Sequence, residues 1–532
     1  MSRIYRLFNT LRYLHLRQII WRLWYRYRPI PKLPLSINQQ VTVPSHNWNS
    51  EIYRPVNVYQ AQFQFMGIAA DLMAPVTWHN TDFPKLWRYH IQYFHDLNTE
   101  TGLSIKFWQI CLTEWVLVNP PMQSISWEPY PLSLRIVNWI IWHLRTGGLT
   151  PILINHLHTQ CRALSQQIEW HIDANHLWAN AKALVFAGCF FSQNPAWYQQ
   201  GMQLIRHICQ RQFDTYGGHI ELSPMYHALI TQDLLELIAL HQCYAKPLPN
   251  SWTKQLTRML SWSGALTHPD GEYAFFNDCA FGIAPDYATL CHIARQLHLS
   301  VDLPLRNASG YIHHQSQYYT LIADTAAIGC SYQPGHAHAD SLSFELSYGS
   351  QRIIVNSGIS TYENNCLRHW QRSTAAHNTV TLNQQNSSEV WHAFRVARRA
   401  QIMKRYISEH LIAAIHNGYS RCHRTILHSR QWHLRENLIE ITDHVHGKGQ
   451  YEIDLHCHFH PECRLQLHEQ QISVYLEERR IALLTFYQDA MITIHTSNWY
   501  PKFGEAIPNQ RLQIHFPKQP LPIAIHWDIK IY

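Results

Sequence analysis

The feature that most constrains this chain is a change of hydrophobic period partway along it. From about residue 85 to 300 the apolar residues recur at spacings of three and four, with breaks at Asn119-Pro120-Pro121, Gly147-Gly148, Asn194-Pro195 and Tyr216-Gly217-Gly218. That spacing predicts successive helices. Beyond Leu303-Pro304 the pattern becomes alternation, as in Ser341 to Tyr348, Tyr451 to His460 and Ile523 to Ile531. Alternation predicts a large antiparallel β-sandwich. At 532 residues the chain exceeds what one core usually supports, so an α+β multidomain architecture is expected. Its parts are a basic, aromatic extension over 1–84, a helical unit over 85–303 and a β unit over 312–532. No repeat stands out, yet several helical hairpins in a row are compatible with an incomplete α/α toroid.

Charged residues make up only 15% of the chain, against 20 Trp, 28 Tyr and 38 His. A surface rich in indole and phenol suits carbohydrate, whose apolar ring faces stack on such groups. The net charge of +7 is spread along the chain rather than gathered in one run. It favours an acidic polysaccharide as partner over nucleic acid. The 12 Cys, among them Cys111, Cys161, Cys189, Cys209 and Cys243, include no C-x-x-C pair. They read as buried thiols of a reducing compartment, which points to the cytoplasm. Near the start, Arg interrupts the apolar residues every few positions, as in Ile19 to Arg26. Neither a signal peptide nor a transmembrane segment fits that pattern. A basic, Trp-rich helix there could rest on a membrane face, but packing on its own domain is the expected role.

Three segments carry candidate chemistry. Asp173 is placed to cap a helix whose first turn presents Asn175 and His176. In Gly217 to His227, Ser223 reads as an N-cap and Pro224 as the first helical residue, so Tyr226 and His227 fall in the first turn. The positive end of the helix dipole would then lower the cost of a Tyr226 phenolate. In Gly335-His-Ala-His-Ala-Asp340, His336 and His338 share a face if extended and diverge if looped. An H-x-H pair with a carboxylate and a distant third His, here His377, is a recognisable zinc pattern. Asn356 stands where Asp would be the stronger ligand, and Asp340 reads as a turn residue. His456, His458 and His460 alternate along a strand, a row that reads as a solvated face rather than a ligand set.

Four blocks in order resemble the heparinase II/III-like polysaccharide lyases, relatives of certain alginate lyases: residues 175–188, 217–227, 335–346 and 372–380. The resemblance covers most of the chain from residue 85 and implies an α/α toroid followed by an antiparallel β-sandwich. The region from Arg12 to Pro29 also resembles the amino end of lyase-like proteins of bacterial surface-polysaccharide synthesis. The implied chemistry is β-elimination on a uronic acid, where abstraction of the C5 proton requires the neighbouring carboxylate to be neutralised. By position in the motifs, Asn175 and His176 would neutralise it, Tyr226 would serve as base, acid or both, and His336 would act beside it. A phenol with an ordinary pKa of about 10 must be lowered before it can act as a base near neutrality. The resemblance also places Tyr362 near the cleft, Arg372 against a substrate carboxylate, and a structural Zn²⁺ at His338, Asn356 and His377. A uronate C5-epimerase and a catalytically silent glycan-binding or assembly protein are the competing expectations.

Overall fold

The computed structural model describes residues 3–532. Two short helices come first, α1 (Arg3–Leu11) and α2 (Leu16–Tyr27). A three-stranded antiparallel sheet follows, Val58–Tyr59, Gln62–Phe65 and Ile68–Asp71, which the sequence pattern did not disclose. Nine helices then run in succession: α3 (Lys85–Tyr93), α4 (Ile105–Val118), α5 (Pro129–Thr146), α6 (Pro151–Ser165), α7 (Ala174–Phe190), α8 (Pro195–Arg211), α9 (Pro224–Cys243), α10 (Asn250–Ala265) and α11 (Tyr287–Gln296).

Alternate helices do different work. Residues of α3, α5, α7 and α9 line one central cleft, while α4, α6, α8 and α10 back them from outside. This inner and outer arrangement is an incomplete α/α toroid. Burial follows from it: nearly every residue of α7 and α9 is buried, whereas α8 buries a single stripe. An inner helix is covered on both sides and so loses the amphipathic signature of a surface helix. The α7–α8 contact is very close, because a Cβ on Gly188 would lie 2.3 Å from the Tyr198 backbone nitrogen and one on Gly201 would lie 2.8 Å from the Ala181 carbonyl. Only glycine allows that approach.

From Asn307 onward the chain is β, apart from the short helix α12 (Cys366–Gln371) and single 3₁₀ turns. Eight strands form one sheet in the order Ile402–Ile407, Leu411–His416, Leu427–Leu434, Leu438–His446, Ile523–Ile531, Arg479–Phe486, Gln471–Leu476 and Cys463–His468. A five-stranded sheet over 307–354 and a four-stranded sheet pack with it around one core. Phe344 of the five-stranded sheet meets Trp432 and Trp527 of the large sheet, with ring centroids 6.4 and 6.1 Å away. In the large sheet Ile441 lies opposite both of those tryptophans, an aromatic and β-branched pairing that fixes register.

The two halves share a boundary that is both apolar and polar. Val355, Ile359, Trp499 and Phe503 of the β half belong to the core of the helical half. Arg352 donates to Asp270 (2.6 Å) and to the Glu272 and Tyr273 carbonyls across the same boundary. His456 and His458 are buried rather than solvated, so the row expected to face water is packed instead. Their rings meet Thr381 Oγ1 (3.1 Å) and the Ala375 carbonyl (2.9 Å). All 12 cysteines are free and nine of them are buried.

Candidate active site

A cleft of about 890 Å³ lies between the toroid and the β half. Junctions between units are the usual place for a ligand site. Asn175, His176, Tyr226, His336 and Tyr362 all line it, so residues more than 180 positions apart in sequence meet there. Arg372 does not reach it. Its guanidinium is buried and donates to the carbonyls of Ala337, His392 and Ala393, which leaves no free fork for a substrate carboxylate.

Three of the segments that deliver site residues start with an unusual backbone. Asp173 has φ 64° and ψ −151°, and Ala174 has φ 47°, a conformation that non-glycine residues adopt only when their surroundings enforce it. Asp173 was expected to cap α7, but its side chain makes no cap bond and accepts from Gln212 Nε2 (2.6 Å). Leu222 (φ 53°) precedes α9, and Asn277 (φ 56°) precedes Asp278. Ser223 does cap α9, accepting from the Tyr226 amide at 3.2 Å, with Pro224 in the first turn.

His176 rests on Glu169, with Nδ1 to Oε1 at 3.0 Å. Asn180 fixes Glu169 in turn, through its Nδ2 on Oε2 (3.2 Å) and its Oδ1 on the Glu169 amide (2.8 Å). Burial alone would lower the His176 pKa, but the Glu169 carboxylate outweighs it and raises the value above 6.5. His176 therefore holds its positive charge longer than a free imidazole. The nearby cations Lys182 and Arg54 are already paired, the first with Asp233 and Glu236, the second with Glu236.

Asp278 organises the opposite wall. Its Oδ2 accepts His336 Nδ1 at 2.8 Å and its Oδ1 accepts His338 Nε2 at 2.8 Å, while Arg368 grips both oxygens at 2.5 and 2.7 Å. Burial pushes the carboxyl up, yet Arg368 and the two imidazoles hold it well below the usual range. An ionised carboxylate only accepts, so His336 donates from Nδ1 and turns Nε2 toward the cleft. That Nε2 is 3.4 Å from Asn175 Nδ2, which also reaches Glu221 Oε1 at 3.3 Å. Asn175 Oδ1 is buried without a hydrogen-bond partner, as a polar group that takes up a ligand would be, while Glu221 Oε2 lies 3.5 Å from His219 Nδ1.

Tyr226 lies against His336 with ring centroids 4.0 Å apart, and its hydroxyl is 3.0 Å from that of Tyr362. Burial, with Tyr362 and Tyr130 adding to it, pushes the Tyr226 phenol well above 10. The expected lowering by the helix terminus is outweighed by desolvation, and Tyr226 is a neutral proton donor. Sequence reasoning missed Asp278, Glu169, Glu221 and Arg368. The clue was a carboxylate amid apolar neighbours, as in Phe275-Phe-Asn-Asp-Cys279, since a buried charge requires a partner.

The candidate metal set is rearranged. Asn356 Oδ1 is occupied by Ser343 Oγ (2.7 Å) and Asn378 Nδ2 (3.3 Å), and its amide nitrogen donates to the Phe275 carbonyl. These bonds tie the Asn356 side chain to the protein. Asp340 offers a carboxylate beside the two imidazoles, since potential ligand atoms of His338, Asp340 and His377 all lie within 4.8 Å of one another. His338 Nε2 donates to Asp278, and His377 Nδ1 donates to the Ser373 carbonyl at 2.7 Å. Two acceptor nitrogens, His338 Nδ1 and His377 Nε2, are thereby left facing each other at 3.1 Å. Burial depresses both imidazoles, His338 to about 4, so a shared proton is disfavoured. Two imidazoles and a carboxylate with second-shell acceptors behind them suit Zn²⁺.

A model of the heparinase II/III N-terminus matches residues 87–286, and one of the heparinase II/III-like C-terminal region matches residues 300–528. The heparin-sulfate lyase of Pedobacter heparinus is 23% identical over 342 residues, which are 57% of this chain and 51% of that protein. The chain spans about half the length of the curated relatives it matches. A crystal structure of heparinase III shares the fold with a TM-score of 0.68 at 16% identity, covering 97% of this chain and 89% of that one. For a heparan sulfate lyase mutant of Pedobacter heparinus the TM-score is 0.61 at 17% identity, over 89% and 81%. With both models matched in order over most of its length, the chain belongs to the heparinase II/III-like family.

Proposed function

We propose that this protein is a polysaccharide lyase that cuts a uronate-containing glycan by β-elimination. The observation that carries the reading is the placement, at one point of the cleft, of the Asp278-held His336 imidazole against the neutral Tyr226 phenol, ring centroids 4.0 Å apart. Its support from relatives is that those matched are named heparin-sulfate lyases.

In this reading the protonated His176 and the Asn175 amide receive the substrate carboxylate, which acidifies the C5 proton. His336 Nε2 takes that proton, and the Asp278 carboxylate stabilises the imidazolium that forms. The C5–H electron pair becomes the C4–C5 double bond as the C4–O4 bond breaks. Tyr226 gives its proton to the departing O4, and Tyr362 steadies the phenolate. Solvent then returns a proton to Tyr226 and removes one from His336. An epimerase would need its second proton donor across the sugar ring, whereas the His336 and Tyr226 rings are stacked side by side. His338, His377 and Asp340 would hold a structural divalent cation that fixes the loop carrying His336. The unpaired, buried thiols fit a reducing cytoplasmic setting.

The test is ultraviolet absorbance with a panel of uronate polymers, because the 4,5-unsaturated product absorbs where the polymer does not. A rise that is lost in Tyr226→Phe supports the reading. No rise on any polymer, with deuterium entering C5 from heavy water, would replace it by epimerisation.

A further inference from the structure

The first two helices face the wrong way for parts of a globular core. Helix α2 turns its polar side inward: Gln18 is 1% exposed and Tyr25 donates its hydroxyl to the Ile168 carbonyl (2.5 Å), while at the edge Arg17 crosses the Trp170 ring at 3.7 Å and stays exposed. Helix α1 is likewise held by Asn9, buried, by Thr10, which accepts from Trp391 Nε1, and by Arg6 on Glu389. The apolar side points outward. Leu16, Ile20, Leu23, Trp24 and Tyr27, spaced to share one face of α2, are each more than half exposed, and Ile4 and Phe8 continue the surface on α1. The helix packs on its own domain as expected, with Trp21 stacked on Trp170 at 6.3 Å, but it does so through the face opposite this stripe.

Charge identifies what covers this face. Eight Lys and Arg precede the first acidic residue, Glu51. With 3.6 residues per turn, Arg17 and Arg26 fall at the two edges of the α2 stripe, and both are exposed. Cations flanking an apolar stripe hold an interfacial helix, with the stripe among acyl chains and the guanidinium groups at anionic headgroups. No helix among the described residues is long and apolar enough to cross a membrane. A second copy would bring the same cations against themselves, without a carboxylate on either stripe.

We infer that α1 and α2 form a docking surface for an anionic lipid bilayer. Because Leu7, Leu11, Arg22 and Tyr25 of these helices also line the cleft, docking sets the cleft mouth beside the headgroups. A polymer held at the membrane would then enter the cleft there. The inference does not depend on the reaction proposed above.

The experiment is co-sedimentation of the full chain with phosphatidylcholine–phosphatidylglycerol vesicles and, separately, with pure phosphatidylcholine. Binding to the anionic vesicles that falls with added salt is expected. The triple variant Ile20→Ser, Leu23→Ser, Trp24→Ser should lose at least about tenfold in partitioning, at an unchanged melting temperature. Arg17→Gln with Arg26→Gln should lose a similar factor, since each near-surface cation is worth roughly fivefold. This pair keeps the stripe and decides the matter if the triple variant fails to fold. Equal partitioning of parent and Arg pair, or no preference for the anionic vesicles, overturns the inference. So does a parent dimer that the triple variant dissociates, or binding to a protein partner that vesicles do not displace.

Discussion

At the residue scale, the proposed reaction divides the site into groups that would touch substrate and groups that set their protonation. Tyr226 is of the first kind, and general acid catalysis contributes roughly 10²- to 10⁴-fold. Tyr226→Phe should therefore lower kcat by about that factor, with melting temperature nearly unchanged because only a hydroxyl at the cleft wall is removed. A loss of stability in step with the loss of activity would make Tyr226 a packing residue. Glu169 is of the second kind. It raises the His176 pKa, so the charge on His176 is complete below the unfolded value near 6.5 and is lost as pH rises through the folded value. Substrate binding should weaken along that alkaline limb. Glu169→Gln should move the limb to lower pH, seen in the pH profile of kcat/KM, and an unmoved limb would disconnect the pair. The motifs pointed to Asn175, His176, Tyr226, His336 and Tyr362, which meet in the cleft. They did not disclose Asp278 or Glu169, because those carboxylates act through contacts 58 and seven positions away. No local spacing encodes the first of these, and the second crosses the strained turn at Asp173.

At the element scale, legibility followed the physics of burial. The change of period near residue 303 marked where α gives way to β, since a helix and a strand must repeat their apolar residues differently. The pattern could not separate inner from outer helices, because α7 and α9 are buried on all sides and show almost no preferred face. The strand carrying His456 and His458 misled for a related reason: a polar row buried between sheets looks like a solvated row. Glycines told more, though only in the structure. A methyl at Gly188 would press on the Tyr198 backbone, which cannot step aside as a side-chain tip could. Gly188→Ala should therefore destabilise by about 1–3 kcal/mol, despite the better helix propensity of alanine. Thermal unfolding checks this, and a melting temperature at or above that of the parent would show that α7 and α8 can separate freely.

At the scale of the whole molecule, one carboxylate ties the two halves together at the site. Asp278 comes from the helical half, while Arg368, His336 and His338 come from the β half. Removing one partner of such a buried set leaves the others uncompensated, at a cost of roughly 3–5 kcal/mol. Asp278→Asn should thus lower the unfolding free energy by about that amount and also free His336 to present the wrong nitrogen, so activity should fall beyond what stability explains. The same carboxylate orients His338 toward His377 and Asp340. If a divalent cation occupies that trio, it binds the folded state alone and must stabilise it by mass action. Added Zn²⁺ should raise the melting temperature of chelator-treated protein, and Asp340→Asn should blunt the rise, whereas Asn356→Ala, whose amide is spent on Ser343 and Asn378, should lower the baseline without abolishing the zinc response. A melting temperature indifferent to both zinc and chelator would mean that no cation joins the facing imidazoles, which then stay neutral. Because burial holds both imidazoles below the free value, His338 to about 4, stability should then fall as pH drops below about 6.5, the unfolded chain taking up protons that the facing pair resists.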